Sequence, residues 1–204
     1  GDVRISMDML KQVSEAYRKV RNTLRFLHGN VTDFNAATDR VAYEDLREMD
    51  QYMYMRLQDV VKTVRAAYDR YDFSTVYTTV NNFVAIELSS FYLDIAKDIV
   101  YIEGTDNKNR RAMQTVMYDT LMALVKLLTP IIPHTTEELW SYIEFEGKPQ
   151  SVQLTDFPEA VEQENFTELR VKWAKVIVVR NEVLKALEEA RNAKTIGKSL
   201  EAKI

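Results

Sequence analysis

Cysteine is absent from the 204 residues. That excludes a disulfide scaffold, a thiolate metal site and a thiol nucleophile. Only five glycines and four prolines occur, which excludes collagen-like and low-complexity chains and favours long, uninterrupted helices. Histidine appears twice, as His28 and His134, far apart in the chain. No apolar run reaches membrane-spanning length, and no signal-peptide pattern opens the sequence. What is present suits a packed core, with 46% apolar and 28% charged residues. The expectation is a cytoplasmic, helical protein without a membrane partner.

The formal charge is −4, but it is unevenly spread. Residues 2–28 carry a net +3, residues 137–170 a net −7 and residues 171–204 a net +4. A protein that is acidic overall still binds a polyanion when its cations share a face.

Apolar residues at Leu10, Val13, Tyr17, Val20, Leu24 and Leu27 alternate at three- and four-residue spacing, one stripe of a long helix. Ser6 is placed to cap its start, and Gly29 stands where a positive φ would end it. A second stripe, Met53, Leu57, Val60, Val64, Ala67 and Tyr71, predicts a helix from about residue 43 to 70. Ser74 is the expected cap of a third helix carrying Val80, Val84, Leu88, Phe91, Ile95, Ile99 and Ile102, which Gly104 stops. Thr105 or Asp106 is the expected cap of a fourth, with Met113, Met117, Leu121, Leu124 and Leu128, closed by Pro130 and Pro133. Thr135 and Glu138 read as a capping box opening a short fifth helix through Trp140. A last helix spans about residues 165–193, with Leu169, Trp173, Val176, Ile177, Val183, Leu184 and Leu187 on its stripe. Trp140 and Trp173 are expected in the core.

The fold class that follows is all-α, an antiparallel bundle of long helices plus the short fifth. Three regions are expected: a bundle over residues 1–143, an acidic connecting loop over 144–164, and a last helix over 165–204 packed on the bundle. Residues 199–204 alternate polar and apolar like the start of a strand, and the opening Gly1 resembles a cut. Both suggest a piece of a larger chain.

Catalytic motifs fail inspection. Gly197-Lys198-Ser199 could end a phosphate loop, but Asn192 stands where that motif needs glycine, and the run follows a helix instead of a strand. No glycine pair is spaced for a dinucleotide fingerprint. His134 beside Glu137 and Glu138 has no second histidine nearby, so capping or packing explains it better than metal ligation. No metal site and no catalytic residue is assigned.

The cations are more informative. At 100° per residue, Lys11, Arg18, Arg21, Asn22 and Arg25 fall on one side of the first helix, about a third of a turn from the apolar stripe. Phe26 lies well away from that stripe too. Cations and an exposed aromatic on a rigid helix suit phosphate contact and base stacking; the alternative is a solvated face with Phe26 packed on a neighbour. The fourth helix opens with Lys108, Arg110 and Arg111, followed by Gln114. Arginine there meets the positive end of the helix dipole and needs compensation, from an RNA phosphate or from an acid such as Asp94 or Asp98. On the last helix Arg180 interrupts the apolar stripe, and Arg191 and Lys194 continue its line. A charge in such a stripe is either paired or functional.

These segments together resemble a known family. Residues 17–30, YRKVRNTLRFLHGN, are similar to the first helix of the anticodon-binding domain in bacterial isoleucyl-tRNA synthetases, members of the class I aminoacyl-tRNA synthetases. Tyr71-Asp72-Phe73, residues 88–94 (LSSFYLD) and residues 110–116 (RRAMQTV) resemble its middle. Residues 127–140, LLTPIIPHTTEELW, resemble a motif shared with the valine, leucine and methionine enzymes. Residues 180–183 (RNEV) and 196–202 (IGKSLEA) resemble the junction that follows. Leu139 and His134 stand where relatives often carry other apolar or aromatic residues, a difference that touches packing only.

The resemblance implies a part of a ligase that holds the anticodon arm of tRNA(Ile) while missing domains perform ATP-dependent aminoacylation, editing and zinc binding. ATP and zinc are therefore expected in the longer protein and no cofactor in this chain. The implied tRNA-binding candidates are Arg18, Arg21, Asn22, Arg25, Phe26, Arg111, Gln114, Arg180, Arg191 and Lys194. Two other readings stay open: the same domain of the valine or leucine enzyme, and a helical protein-interaction module with no RNA role. A continuous positive strip on the surface would separate the RNA readings from the last.

Overall fold

The computed structural model describes residues 4–197. The expected strand over residues 199–204 lies outside them. The contacts divide the chain into two units, Gly1–Val161 and Glu162–Ile204.

The first unit holds helices α1 (Met7–Gly29), α2 (Glu48–Asp69), α3 (Phe73–Asn82), α4 (Leu93–Ile102), α5 (Lys108–Leu128) and α6 (Pro133–Tyr142). A π-helical segment, Phe83–Tyr92, joins α3 to α4. The second unit carries α7 (Phe166–Asn192). No strand occurs among the described residues, so the chain is all-α.

Helix α5 is the spine. Met113, Val116, Met117, Leu121, Leu124 and Val125 are all buried, because helices pack against it from several sides. The pairs joined by short turns, α2 with α3 and α5 with α6, run antiparallel. Helices α2 and α5, which are not consecutive, run parallel. Lys108 and Tyr68 tie both ends of α2 to the matching ends of α5: Lys108 Nζ pairs with Asp45 just ahead of α2, and Tyr68 Oη donates to the Leu127 carbonyl at 2.7 Å. Helices α1 and α6 also run side by side in the same direction, a pairing that builds the site described below.

Several local expectations change. Ser6 does cap α1, accepting the Met9 N–H at 3.2 Å. Gly29, however, does not take a positive φ. The helix closes through Asn30 at φ −94°, whose side-chain amide donates to the Phe26 carbonyl at 2.8 Å. Only Leu24 and Leu27 of the α1 stripe are buried, while Leu10 and Val13 remain over half exposed. The amphipathic pattern extends beyond the core that α1 helps to form.

Helix α2 starts later than its stripe suggests, because Tyr43–Asp45 forms a separate 3-10 turn. Asp72, not Ser74, caps α3, accepting the Thr75 N–H and hydroxyl at 3.1 and 2.6 Å. Asn107, not Thr105 or Asp106, caps α5 by accepting the Asn109 and Arg110 N–H groups. The capping box at α6 does not form. Ile132 occupies its N-cap, Pro133 sets the first turn, and Thr135 and Glu138 face α1 instead.

The π-helical segment has the largest effect on pattern. The 3.6-residue stripe is right through Val80, Val84, Leu88 and Phe91, all buried. Beyond it, Ile95 and Ile102 are exposed while Ala96 and Val100 are buried. A π turn takes up an extra residue, so the inward face moves on by one position. Ser90 donates to the Ala85 carbonyl at 2.8 Å, five residues back, in step with that wider turn.

The stretch after α6 is built, not loose. Trp140, buried as expected, donates its indole N–H to the Pro149 carbonyl at 2.9 Å. Lys148 Nζ donates to the Trp140 and Ile143 carbonyls, and Val152–Leu154 forms a 3-10 turn. Phe157 stacks on Tyr68 with ring centroids 5.1 Å apart. In the second unit, Trp173 is half-buried and not a core residue as expected, and Val171, Val178 and Val179 on α7 are exposed.

Candidate nucleic-acid interface

Residues 17, 21, 24, 25 and 28 recur at about one helical turn, so they share one side of α1. Residues 135, 138, 139 and 142 do the same on α6. The parallel arrangement brings them together in register. Tyr17 and Thr135 share a hydroxyl hydrogen bond at 2.8 Å, Arg21 pairs with Glu138 at 3.7 Å, and His28 Nε2 donates to the Tyr142 carbonyl at 3.2 Å. Between the helices lies a cleft of about 470 Å³. Leu24 and Leu139 form its buried floor, and Arg21, Arg25, Glu138 and Tyr142 its rim.

The cleft's electrostatics favour an anion at its α1 edge. Arg25 has no ion pair among the described residues. Arg18 also lacks one, and its Nε donates only to the Ser14 carbonyl at 3.4 Å. Asn22 is exposed beside them. The Arg21–Glu138 pair is at the surface, with side chains 34% and 56% exposed, so its opening costs at most ~1 kcal/mol. Phe26 is half-buried, between the two alternatives the sequence leaves open.

The cations of α5 are used differently. Arg110, whose side chain is 11% exposed, pairs with Asp33 at 2.6 Å and donates to the Val100 carbonyl. Asp33 supplies the compensation that the dipole demands; the expected Asp94 and Asp98 do not, and Asp94 pairs with Lys97. Arg111 donates to the Asp33 carbonyl and to Gln114 Oε1, both at 2.8 Å, and pairs with Asp33 and Asp39 at 3.5 Å. Gln114 is fully buried, and its Nε2 donates to the Asn30 carbonyl and Asp33 Oδ1. Its place in an RNA contact is thus corrected: it fixes the turn after α1. Burial pushes the Asp33 carboxyl up, but hydrogen bonds from Arg110 and Gln114 and the two guanidinium charges outweigh it, leaving Asp33 below the usual carboxylate range.

Arg180, Arg191 and Lys194 belong to the second unit. Arg180 is half-buried, Arg191 and Lys194 are exposed, and Lys194 takes φ +57° at the helix end. His134 is exposed in the first turn of α6. No group of three metal-ligating side chains occurs among the described residues, and none of their helices is long and apolar enough to cross a membrane.

Sequence reasoning missed Thr135, Glu138, Tyr142 and His28 as cleft residues, and Asp33 as the partner of the α5 arginines. The spacing 135, 138, 142 was the available signal, but Thr135 and Glu138 also fit a cap, and spacing within one helix does not say which helix lies opposite.

A helical bundle with an arginine edge beside a cleft is suited to holding an anionic ligand. The chain belongs to the family described as the anticodon-binding domain of tRNA ligase, which matches residues 50–204. It is 57% identical over its full length to an isoleucine–tRNA ligase of Bacillus mycoides (strain KBAB4) and 58% identical to that of Bacillus subtilis (strain 168). An isoleucine–tRNA ligase of Streptococcus thermophilus (strain ATCC BAA-491 / LMD-9) is 57% identical over 99% of the chain. The chain spans 22% of the length of each of these relatives.

Proposed function

We propose that this chain grips the anticodon arm of tRNA(Ile) for an isoleucine–tRNA ligase, with the α1–α6 cleft as the contact. The observation that carries the reading is that Arg18 and Arg25 have no carboxylate partner among the described residues, with Arg25 and Arg21 lining the cavity. Phosphates bind along that edge, and an unpaired base enters the cleft. Arg180, Arg191 and Lys194, on the second unit, are further candidates for tRNA contact. The chain itself performs no aminoacylation. ATP-dependent chemistry and zinc binding fall to other parts of a longer cytoplasmic protein, since a thiolate zinc site needs cysteine and this chain has none.

The test is titration of the chain with tRNA(Ile) and tRNA(Val) over a salt series. Salt-sensitive binding that favours tRNA(Ile) supports the reading. Equal binding of both makes this a general tRNA holder, and no binding of either at low salt refutes it.

A further inference from the structure

Two cavities meet at the C-terminal end of α1. One is the α1–α6 cleft. The other, of about 250 Å³, is lined by Val31, Phe34, Tyr118 and Leu121. They share two residues, His28 and Tyr142. The imidazole and phenol stand with ring centroids 6.3 Å apart and planes tilted by 53°, and the His28 bond to the Tyr142 carbonyl fixes the imidazole against α6. Phe34 and Tyr118 form a second tilted aromatic pair, centroids 5.6 Å apart, inside the smaller cavity.

The two walls differ in chemistry. The larger cleft presents guanidinium donors from Arg21 and Arg25 and carboxylate acceptors from Glu138. The smaller is mostly aliphatic and aromatic. The first suits the edge of a ring that carries both donors and acceptors, and the second suits a ring face.

We propose that His28 and Tyr142 form a partition between two base sites, so that this end of α1 takes two consecutive unpaired nucleotides, the first read on its edge by Arg21 and Glu138, the next seated in the apolar cavity on the Phe34 and Tyr118 side of Tyr142. The proposal rests on the RNA-binding reading above and adds the number, adjacency and chemical treatment of the bases. The backbone linking them passes the exposed Arg25. The Arg21–Glu138 pair opens when the first base enters, each partner exchanging the other for a base-edge hydrogen bond.

The test is an abasic scan. The anticodon stem–loop of an isoleucine tRNA is made with each loop nucleotide in turn lacking its base, and affinity for the chain is read by fluorescence anisotropy. Two adjacent positions are expected to lose about tenfold each, the size of a lost base-edge pair at the first and of a lost base–aromatic contact at the second. Tyr142→Ala is expected to flatten both losses, and Tyr142→Phe to keep them. Tyr142 is 63% exposed, so neither change should alter the melting temperature, which is measured alongside. A single sensitive position, two that are not adjacent, or a Tyr142→Ala scan that matches the parent overturns the partition and leaves RNA binding standing. Failure of both the stem–loop and whole tRNA to bind overturns the RNA reading and the partition with it.

Discussion

Arginines at the start of α5 and those along α1 look alike in sequence and differ in the folded chain. Arg110 and Arg111 are drawn into a network with Asp33, Asp39 and Gln114 that closes the turn after α1. Arg18 and Arg25 have no carboxylate partner among the described residues, and Arg21 has only an exposed one. A cation whose charge is spent internally does little for a distant polyanion, whereas one left unneutralised on a rigid helix contributes to binding through released counterions. Positive residues in a sequence therefore mark candidates only; the carboxylates brought to them by the fold decide which remain available.

The contrast depends first on the α6 wall. Trp140 is buried, and its indole N–H is bonded to the Pro149 carbonyl. Trp140→Ala is expected to cost ~3–5 kcal/mol in denaturant unfolding. A loss under ~1 kcal/mol, the size of a surface substitution, would mean that α6 is anchored elsewhere.

Asp33 is the keystone on the α5 side. Asp33→Ala leaves Arg110, Arg111 and Gln114 short of a partner and is expected to cost ~1–3 kcal/mol. Hydrogen exchange should localise the loosening to residues 30–42. An unchanged exchange pattern there would show that the network does not hold the turn.

The same carboxyl gives a pH signature. Its folded value lies below the ordinary 3.8, so its contribution is present above that value and disappears as pH falls through the folded one. Asp50 acts in the opposite sense: burial raises its carboxyl against the opposing pull of Arg47 and Tyr92, and its contribution fades as pH rises through the raised value. Asp33→Asn should thus flatten the loss of stability below about pH 4. An acid transition as steep as the parent's would place the lost stability in another carboxylate.

The smallest expected stability effect is on α1. Arg25→Gln should change stability by no more than ~0.5 kcal/mol, since the side chain is exposed and has no ion pair among the described residues. A larger loss in the same unfolding titration would reveal a packing role.

How much was legible in the sequence follows from the length scale of each feature. Periodicity placed the helices and the α5 core correctly, because a single helix writes its own 3.6-residue pattern. It misplaced Ile95 and Ile102, because a π turn shifts phase without any glycine or proline to announce it. Caps were right at Ser6 and displaced at Asp72 and Asn107, where several polar residues compete within one turn. The α1 cations were legible as a face. The cleft was not, since the pairing of residues 17, 21 and 28 with 135, 138 and 142 exists only once two distant helices lie parallel. Gln114 looked like a surface polar group and is a buried one, a distinction that only its partners Asn30 and Asp33 reveal.

Helix α1, not α5, is expected to supply the free positive charge for RNA. The most direct test is the slope of log affinity for tRNA(Ile) against log salt, measured for the parent, Arg25→Gln and Arg111→Gln at a temperature where all three are folded. The slope is expected to fall by about one unit for Arg25→Gln, one lost phosphate contact, and to stay at the parent value for Arg111→Gln. A slope that falls for Arg111→Gln and not for Arg25→Gln would contradict that expectation.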